Sequence, residues 1–264
     1  MEIKGSVAVI TGGGNGIGEA IAKYFVTHGA KVVIVDMAQK HIDRVLGEIK
    51  AMGGEAIGVQ ASVTSEADTA RFYQAALEAF GKINIVVSCA GIIRDGTMLG
   101  IDKETGKVNR KMGLDKWQPV IDTNLTGTFL TIRDGAEAMV NGGWPGLLVA
   151  ISSVNKVGQV GQLNYSSAKV AAALLQKIVV GEFMLRNIRN VRCIAIAPGY
   201  AATPMLTGMN QEALKSLLSD VHLGRLVEPE EIARLIGHCV ENEAINATTL
   251  EITGGLCYPG AVAK

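Results

Sequence analysis

The sequence predicts an α/β chain of one domain, residues 1–264, built as a doubly wound parallel sheet. Three observations point there. Short runs apolar on both faces recur along the chain, as strands covered by helices on two sides require. Longer stretches of helical periodicity separate them, the pattern of right-handed βαβ crossovers. A glycine-rich turn, TGGGNGIG at 11–18, follows the first apolar run directly and opens a helix near Gly16.

Taken in order, the strand candidates are SVAVIT (6–11), KVVIVD (31–36), EAIGVQ (55–60), INIVVS (83–88), GLLVAIS (146–152), VRCIAIA (191–197) and TTLEI (248–252). No repeat, low-complexity tract or Pro/Gly linker marks a second domain. Two segments break the rhythm. Residues 94–113 are polar and Lys-rich, and ETGK inside them reads as the turn of a small surface hairpin. Residues 204–220 form a Met/Leu-rich excursion between a strand and a helix, the kind of adaptable apolar cover that suits a substrate lid.

Composition narrows the partners. Lys plus Arg and Asp plus Glu balance at 25 each, so nothing in the charge points to nucleic acid or an anionic membrane surface. No apolar run is long enough for a spanning helix, and a small-molecule partner is expected. The four cysteines form no CxxC pair and no metal-ligand spacing; Cys89 and Cys193 lie in apolar runs like buried thiols, which predicts a reducing, cytoplasmic setting.

The turn at 11–18 carries the first chemistry. Glycines let backbone approach a pyrophosphate, and the free N–H groups at a helix start bind the anion. The run KVVIVD ends in Asp36, 18 residues beyond Gly18, where a carboxylate can accept hydrogen bonds from an adenosine ribose. That carboxylate would repel a 2′-phosphate, and the glycine loop contains no Arg or Lys, so NAD is expected over NADP. A second pattern is NYSSAK at 164–169, in which Tyr165 and Lys169 stand one helical turn apart on one face. A free phenol titrates near about 10, and an adjacent cation lowers that value toward a useful acid/base. A core Tyr with a snorkelling Lys is the plainer reading of the spacing alone. The strand before this helix ends in AISSVN, however, which brings Ser152 and Ser153 to the sheet edge where such folds place their ligands.

These motifs together resemble the short-chain dehydrogenase/reductase family, over nearly the whole chain. TGGGNGIG resembles the family's TGxxxGxG, YSSAK its YxxxK, TNLTG its Asn-bearing helix motif, PGYAAT (198–203) its PG…T stretch and ITGG the glycine pair after its last strand. The resemblance implies a Rossmann fold and a nicotinamide cofactor held by Gly12, Asn15, Gly16, Ile17, Gly18, Asp36, Ser62, Val63, Ala90, Gly91, Pro198, Gly199 and Thr203, together with Tyr165 and Lys169. It implies Tyr165 as general acid/base, Lys169 on the nicotinamide ribose, Asn124 anchoring a water of the proton relay and Thr203 on the carboxamide. For the serine that orients the substrate oxygen, aligning the SVN text favours Ser153, whereas the interval more usual in the family favours Ser152; Ser153 is preferred, because a one-residue deletion in the following loop is easily accommodated.

The sequence departs from the family's pattern in three places. SCAG (88–91) stands for NNAG, Ser62 replaces an acidic residue that contacts adenine, and the insertion at 94–113 is longer than family members usually carry there. The expected function is NAD-dependent interconversion of a secondary alcohol and a ketone, with an apolar substrate, cyclic or aromatic, walled by Met98, Val154, Val157, Leu163, Met205 and Leu206. A reductase of 3-oxoacyl thioesters and a non-catalytic NAD-binding partner subunit are the alternatives. The helix from 163 to 186 carries apolar residues around most of its circumference, so part of it should be covered by another subunit, and the resemblance implies a homotetramer.

Overall fold

Seven strands lie side by side because nearly every residue of their sequences can be buried on either face. The computed structural model describes residues 1–257, so residues 258–264 of the predicted domain lie outside the described residues. In chain order the strands are β1 (Val7–Thr11), β2 (Lys31–Asp36), β3 (Ala56–Gln60), β4 (Ile85–Ser88), the short pair β5 (Leu99–Ile101) and β6 (Val108–Lys111), then β7 (Gly146–Ile151), β8 (Val191–Pro198) and β9 (Thr249–Ile252). The main sheet runs β3-β2-β1-β4-β7-β8-β9 with every pairing parallel, and each strand lies within the run the sequence predicts or one residue past it. The helices are α1 (Gly16–Thr27), α2 (Gln39–Ala51), α3 (Glu66–Phe80), α4 (Leu114–Ile121), α5 (Gly127–Gly142), α6 (Leu163–Leu185), α7 (Pro204–Thr207), α8 (Gln211–Leu218) and α9 (Pro229–Glu241).

Strand residues alternate between two cores. Ala8, Ile10 and Ile34 pack with Ile21 and Phe25 of α1, Ile42 of α2 and Ile236 of α9. Val9, Val33 and Val86 pack with Phe72 of α3, Ile132 of α5 and Leu175 and Val179 of α6. The chain moves outward from β1 to β3 and then returns to place β4 on the other side of β1. This reversal opens a crevice at the carboxyl ends of β1 and β4, where open α/β sheets bind ligands.

The insertion forms the predicted hairpin, β5 paired antiparallel with β6. Its turn is closed by Asp102, whose Oδ1 accepts from the Glu104 and Thr105 N–H groups, and by Gly106 at φ +66°. The excursion at 204–220 folds into α7 and α8. Around α6, Leu175, Val179, Val180 and Phe183 face the second core, while Leu174, Ile178, Met184 and Leu185 are exposed. No helix among the described residues is long and apolar enough to cross a membrane.

Candidate active site

The crevice is built first from β1. Thr11 ends the strand buried, and its Oγ1 accepts from the Cys89 and Ala90 N–H groups at 3.1 and 3.3 Å, tying the β1 and β4 termini together. Gly12 then turns at φ +66°, where a Cβ would stand 2.9 Å from Ala90 Cα. Gly18 lies so close beneath that its Cβ would meet the Gly12 carbonyl oxygen at 2.2 Å. Asn15 caps α1 and accepts from the Gly16 N–H at 2.8 Å, and Ile17 reaches the cavity beyond. The loop is therefore bare backbone at a helix start, a surface that fits a diphosphate.

Asp36 closes β2 beside that loop. Its Oδ2 accepts from the Gly14 N–H at 3.1 Å and its Oδ1 from the Ala38 N–H at 3.0 Å. Ser62 and Val63 follow β3; the Ser62 N–H donates to Asp68 Oδ2 at 2.8 Å, and Val63 is buried against Gly127. Asp36, Ser62 and Val63 do not line the cavity that holds Tyr165, as expected of residues at the adenosine end of an extended dinucleotide.

Three elements converge on the other end. Ser153 leaves β7 and caps a 3₁₀ turn, Val154–Val157, accepting from the Asn155 N–H at 3.2 Å. Tyr165 and Lys169 lie in the first two turns of α6. Pro198 ends β8 and Gly199 and Thr203 follow it, and a Cβ on Gly199 would stand 2.8 Å from Thr253 Cα. Ser153, Tyr165, Lys169, Pro198, Gly199 and Thr203 all line one open cavity of about 480 Å³. The Ser153 hydroxyl stands near enough to the Tyr165 phenol to favour its ionised form. Ser152 is turned away, its Oγ donating to the Lys169 carbonyl at 2.7 Å.

The electrostatics differ from the sequence expectation. Burial pushes the Tyr165 phenol up, against the opposing effect of the Ser153 hydroxyl, and Lys169 is not among the groups that bring it down. The Lys169 ammonium stands 5.5 Å from the Tyr165 ring centroid and donates to the Ile151 carbonyl at 2.8 Å. Burial pushes Lys169 itself down to about 8. A buried ammonium has three donors, and among the described residues one acceptor, the Ile151 carbonyl, answers them, so the site fits a ligand that brings hydroxyls. Cys89, half-buried on the cavity wall rather than buried, is pushed by burial up to about 11 and stays a thiol at neutral pH.

Asn124 sits in a π-helical turn, Asp122–Thr126, between α4 and α5. Its side chain clasps Ile92, accepting from the N–H at 2.8 Å and donating to the carbonyl at 2.9 Å. A Cβ on Gly91 would come 3.3 Å from Asn124 Oδ1 and 3.7 Å from Lys169 Nζ, so the glycine keeps this corner open.

Of the expected substrate walls, Val154 and Leu206 line the cavity. Met98, Val157 and Leu163 do not and are exposed, because the insertion folds outward as a hairpin and the 3₁₀ turn directs Val157 to solvent. The Met205 side chain lies outside what the structure describes. Asp95, Asn155, Gln159 and Gln162 also line the cavity, from the 94–100 loop and residues 154–163 where the sequence places the pocket walls. The sequence reading gave no role to Asn164, fully buried beside Tyr165. It donates to the Arg94 and Lys116 carbonyls at 3.0 and 2.8 Å and accepts from the Tyr165 N–H at 2.8 Å. An Asn directly before the Tyr was the available signal.

A dinucleotide cradle at the sheet's switch point, opening onto a cavity with paired Ser and Tyr hydroxyls, defines a nicotinamide-dependent oxidoreductase of the Rossmann type. The model of the family described as short chain dehydrogenase matches residues 6–214, and the chain belongs to that family. It is 32% identical to a human (3R)-3-hydroxyacyl-CoA dehydrogenase, over 96% of each chain. It is 36% identical to a 3-oxoacyl-[acyl-carrier-protein] reductase of Synechocystis, covering 95% of this chain and 96% of that one. It is also 32% identical to a 2,5-dichloro-2,5-cyclohexadiene-1,4-diol dehydrogenase of Sphingobium indicum, over 96% of each.

Proposed function

We propose that the protein interconverts a secondary alcohol and a ketone with NAD as hydride carrier. The observation that supports this most directly is that Ser153, Tyr165 and Lys169 line one cavity. When bound, the nicotinamide supplies or accepts the hydride. The chain's own groups handle the proton. Ser153 holds the substrate oxygen, and Tyr165 takes the alcohol proton in oxidation and returns it in reduction. Lys169 binds the nicotinamide ribose from its buried position one turn along α6. A phenol raised by burial needs positive charge to become a base, and a cationic oxidised ring beside Lys169 provides it. Asn124 holds the Ile92 segment and keeps the corner at Gly91 in place for a relay water.

Asp36 supports NAD over NADP, since a carboxylate at the adenosine ribose would repel a 2′-phosphate. Leu206, Met209 and Leu217 of the lid, with Val154, offer an apolar wall, while Gln159 and Gln162 allow the substrate a polar substituent. The test is absorbance of NADH formed from NAD⁺ with a panel of cyclic and aromatic secondary alcohols. Turnover of at least one, with clear preference for NAD⁺ over NADP⁺, is expected; no turnover across the panel favours the non-catalytic alternative.

A second reading takes a 3-hydroxyacyl thioester of coenzyme A as the alcohol, and the hairpin favours it. Lys103, Lys107, Arg110 and Lys111 are exposed there, and none pairs with a carboxylate among the described residues. The hairpin leaves the chain just after Asp95, a cavity residue, and Gly96 is bonded to Gly161 at 2.8 Å. Coenzyme A should then inhibit oxidation of a simple alcohol competitively, more weakly as salt rises. Absence of inhibition removes this reading and leaves the first intact.

A further inference from the structure

Glu19 and Arg44 stand beside the proposed ribose carboxylate, and neither belongs to any of the family motifs. The Gly14 residue is held at both ends. Asp36 Oδ2 accepts from its N–H at 3.1 Å, and Arg44 Nη2 donates to its carbonyl at 3.0 Å. Arg44 and Asp36 are therefore separated by the backbone of a single glycine.

The guanidinium is fully engaged where it stands. Its two terminal nitrogens donate to the two Glu19 oxygens at 2.9 and 2.6 Å, and Nη1 also reaches Glu48 Oε1 at 2.9 Å. Lys23 joins the same group, 2.6 Å from Glu19 Oε1. The Glu19 side chain is only 15% exposed. The Arg44 hydrogen bond is the largest influence on its carboxyl, which is held down at about 2, so the pair persists at any working pH.

We propose that Glu19 and Arg44 are specificity-determining residues for the cofactor. Glu19 neutralises the guanidinium that touches the glycine loop and holds it on the Gly14 carbonyl. A 2′-phosphate arriving at this end of the site meets the Asp36 carboxylate, and the guanidinium nearest the glycine loop is already paired. Arg44 released from Glu19 keeps Nη1 on Glu48 but regains donor capacity at Nη2, one glycine away, where a guanidinium can bind phosphate. Discrimination against NADP thus has two parts, repulsion by Asp36 and sequestration of Arg44 by Glu19. The inference rests on the reading of Asp36 as the ribose carboxylate.

Calorimetric binding of NADPH and NADH to each variant tests this without turnover, and the ratio of the two affinities within one protein cancels any general loss of fold. Asp36→Ala alone should shift the ratio toward NADPH; no shift contradicts the Asp36 reading by itself. Within the Asp36→Ala background, adding Glu19→Gln should improve NADPH relative to NADH by about tenfold, the worth of one hydrogen bond to a charged group. Adding Arg44→Met to that protein should abolish the gain. Arg44→Gln keeps a donor for the Gly14 carbonyl without the charge and should behave like Arg44→Met. The proposal is overturned if Glu19→Gln leaves the ratio unchanged, if Arg44→Met leaves the gain in place, or if Arg44→Gln retains it.

Discussion

Lys169→Met should make the cofactor-free protein more stable at neutral pH. The native side chain is 4% exposed, and its ammonium has the Ile151 carbonyl as acceptor and no carboxylate partner among the described residues. Burial pushes it from 10.5 down to about 8. Below about pH 8 both the folded and the unfolded chain carry the charge, so the folded state bears the whole penalty, about 3 kcal/mol. Between about 8 and 10.5 the unfolded chain binds more protons than the folded one, and the free energy of unfolding rises with pH. About 1.4 kcal/mol of the penalty is gone by pH 9. Methionine keeps most of the apolar stem and gives up the bond to Ile151, worth about 1 kcal/mol, for a net gain of about 2 kcal/mol near pH 7. Urea unfolding of both proteins between about pH 6.5 and 9 measures this. The difference between them is the quantity to follow, because the raised thiols of Cys89, Cys193 and Cys239 act on both and lower stability as pH passes 9. The advantage of Lys169→Met should shrink steadily as pH rises. A difference that stays constant, or a variant less stable at pH 7, would refute the buried, uncompensated ammonium.

Two further outcomes are expected. Gly12→Ala places a Cβ 2.9 Å from Ala90 Cα at φ +66°, so it should cost about 1–3 kcal/mol and abolish NADH binding at concentrations that saturate the native protein; an unchanged dissociation constant rules out the close-packed loop. Leu174 and Ile178 of α6, exposed at 53% and 63%, and Phe129 of α5, at 48%, should be covered in a homotetramer. Ile178→Lys should then lower the mass seen by light scattering, and a native protein that is already monomeric at micromolar concentration removes that expectation.

The sheet was legible because burial on both faces writes a strand as a continuous apolar run, and the glycine turn marked the loop between the first strand and the first helix; the strand order, and with it the switch point, was not. The hairpin was legible from ETGK. What escaped were contacts between residues far apart in the chain. Arg44 on the Gly14 carbonyl crosses 30 positions, and Asn164 on Arg94 crosses 70, with no periodicity to announce either. Spacing put Lys169 near Tyr165 but could not weigh burial against charge, so the direction of the phenol's displacement in the cofactor-free protein was missed. Similarly, the choice between Ser152 and Ser153 needed strand geometry: the Ser152 hydroxyl is taken by the Lys169 carbonyl, and the Ser153 hydroxyl is the one that acts on the phenol. The polar lining from Gln159 and Gln162 lies in a loop whose path no sequence pattern specifies.

The central claim is that the Tyr165 phenol moves the proton of a secondary alcohol. Tyr165→Phe keeps the ring and its packing and deletes one oxygen. Its NADH affinity, read by fluorescence titration, and its thermal stability should stay close to native. Oxidation of whichever alcohol the native protein turns over fastest should fall by at least about 10²-fold, toward the upper end of what acid/base catalysis supplies. A Tyr165→Phe protein that binds NADH normally and keeps most of its turnover would contradict the account, leaving Tyr165 a packing residue and the base elsewhere in the cavity.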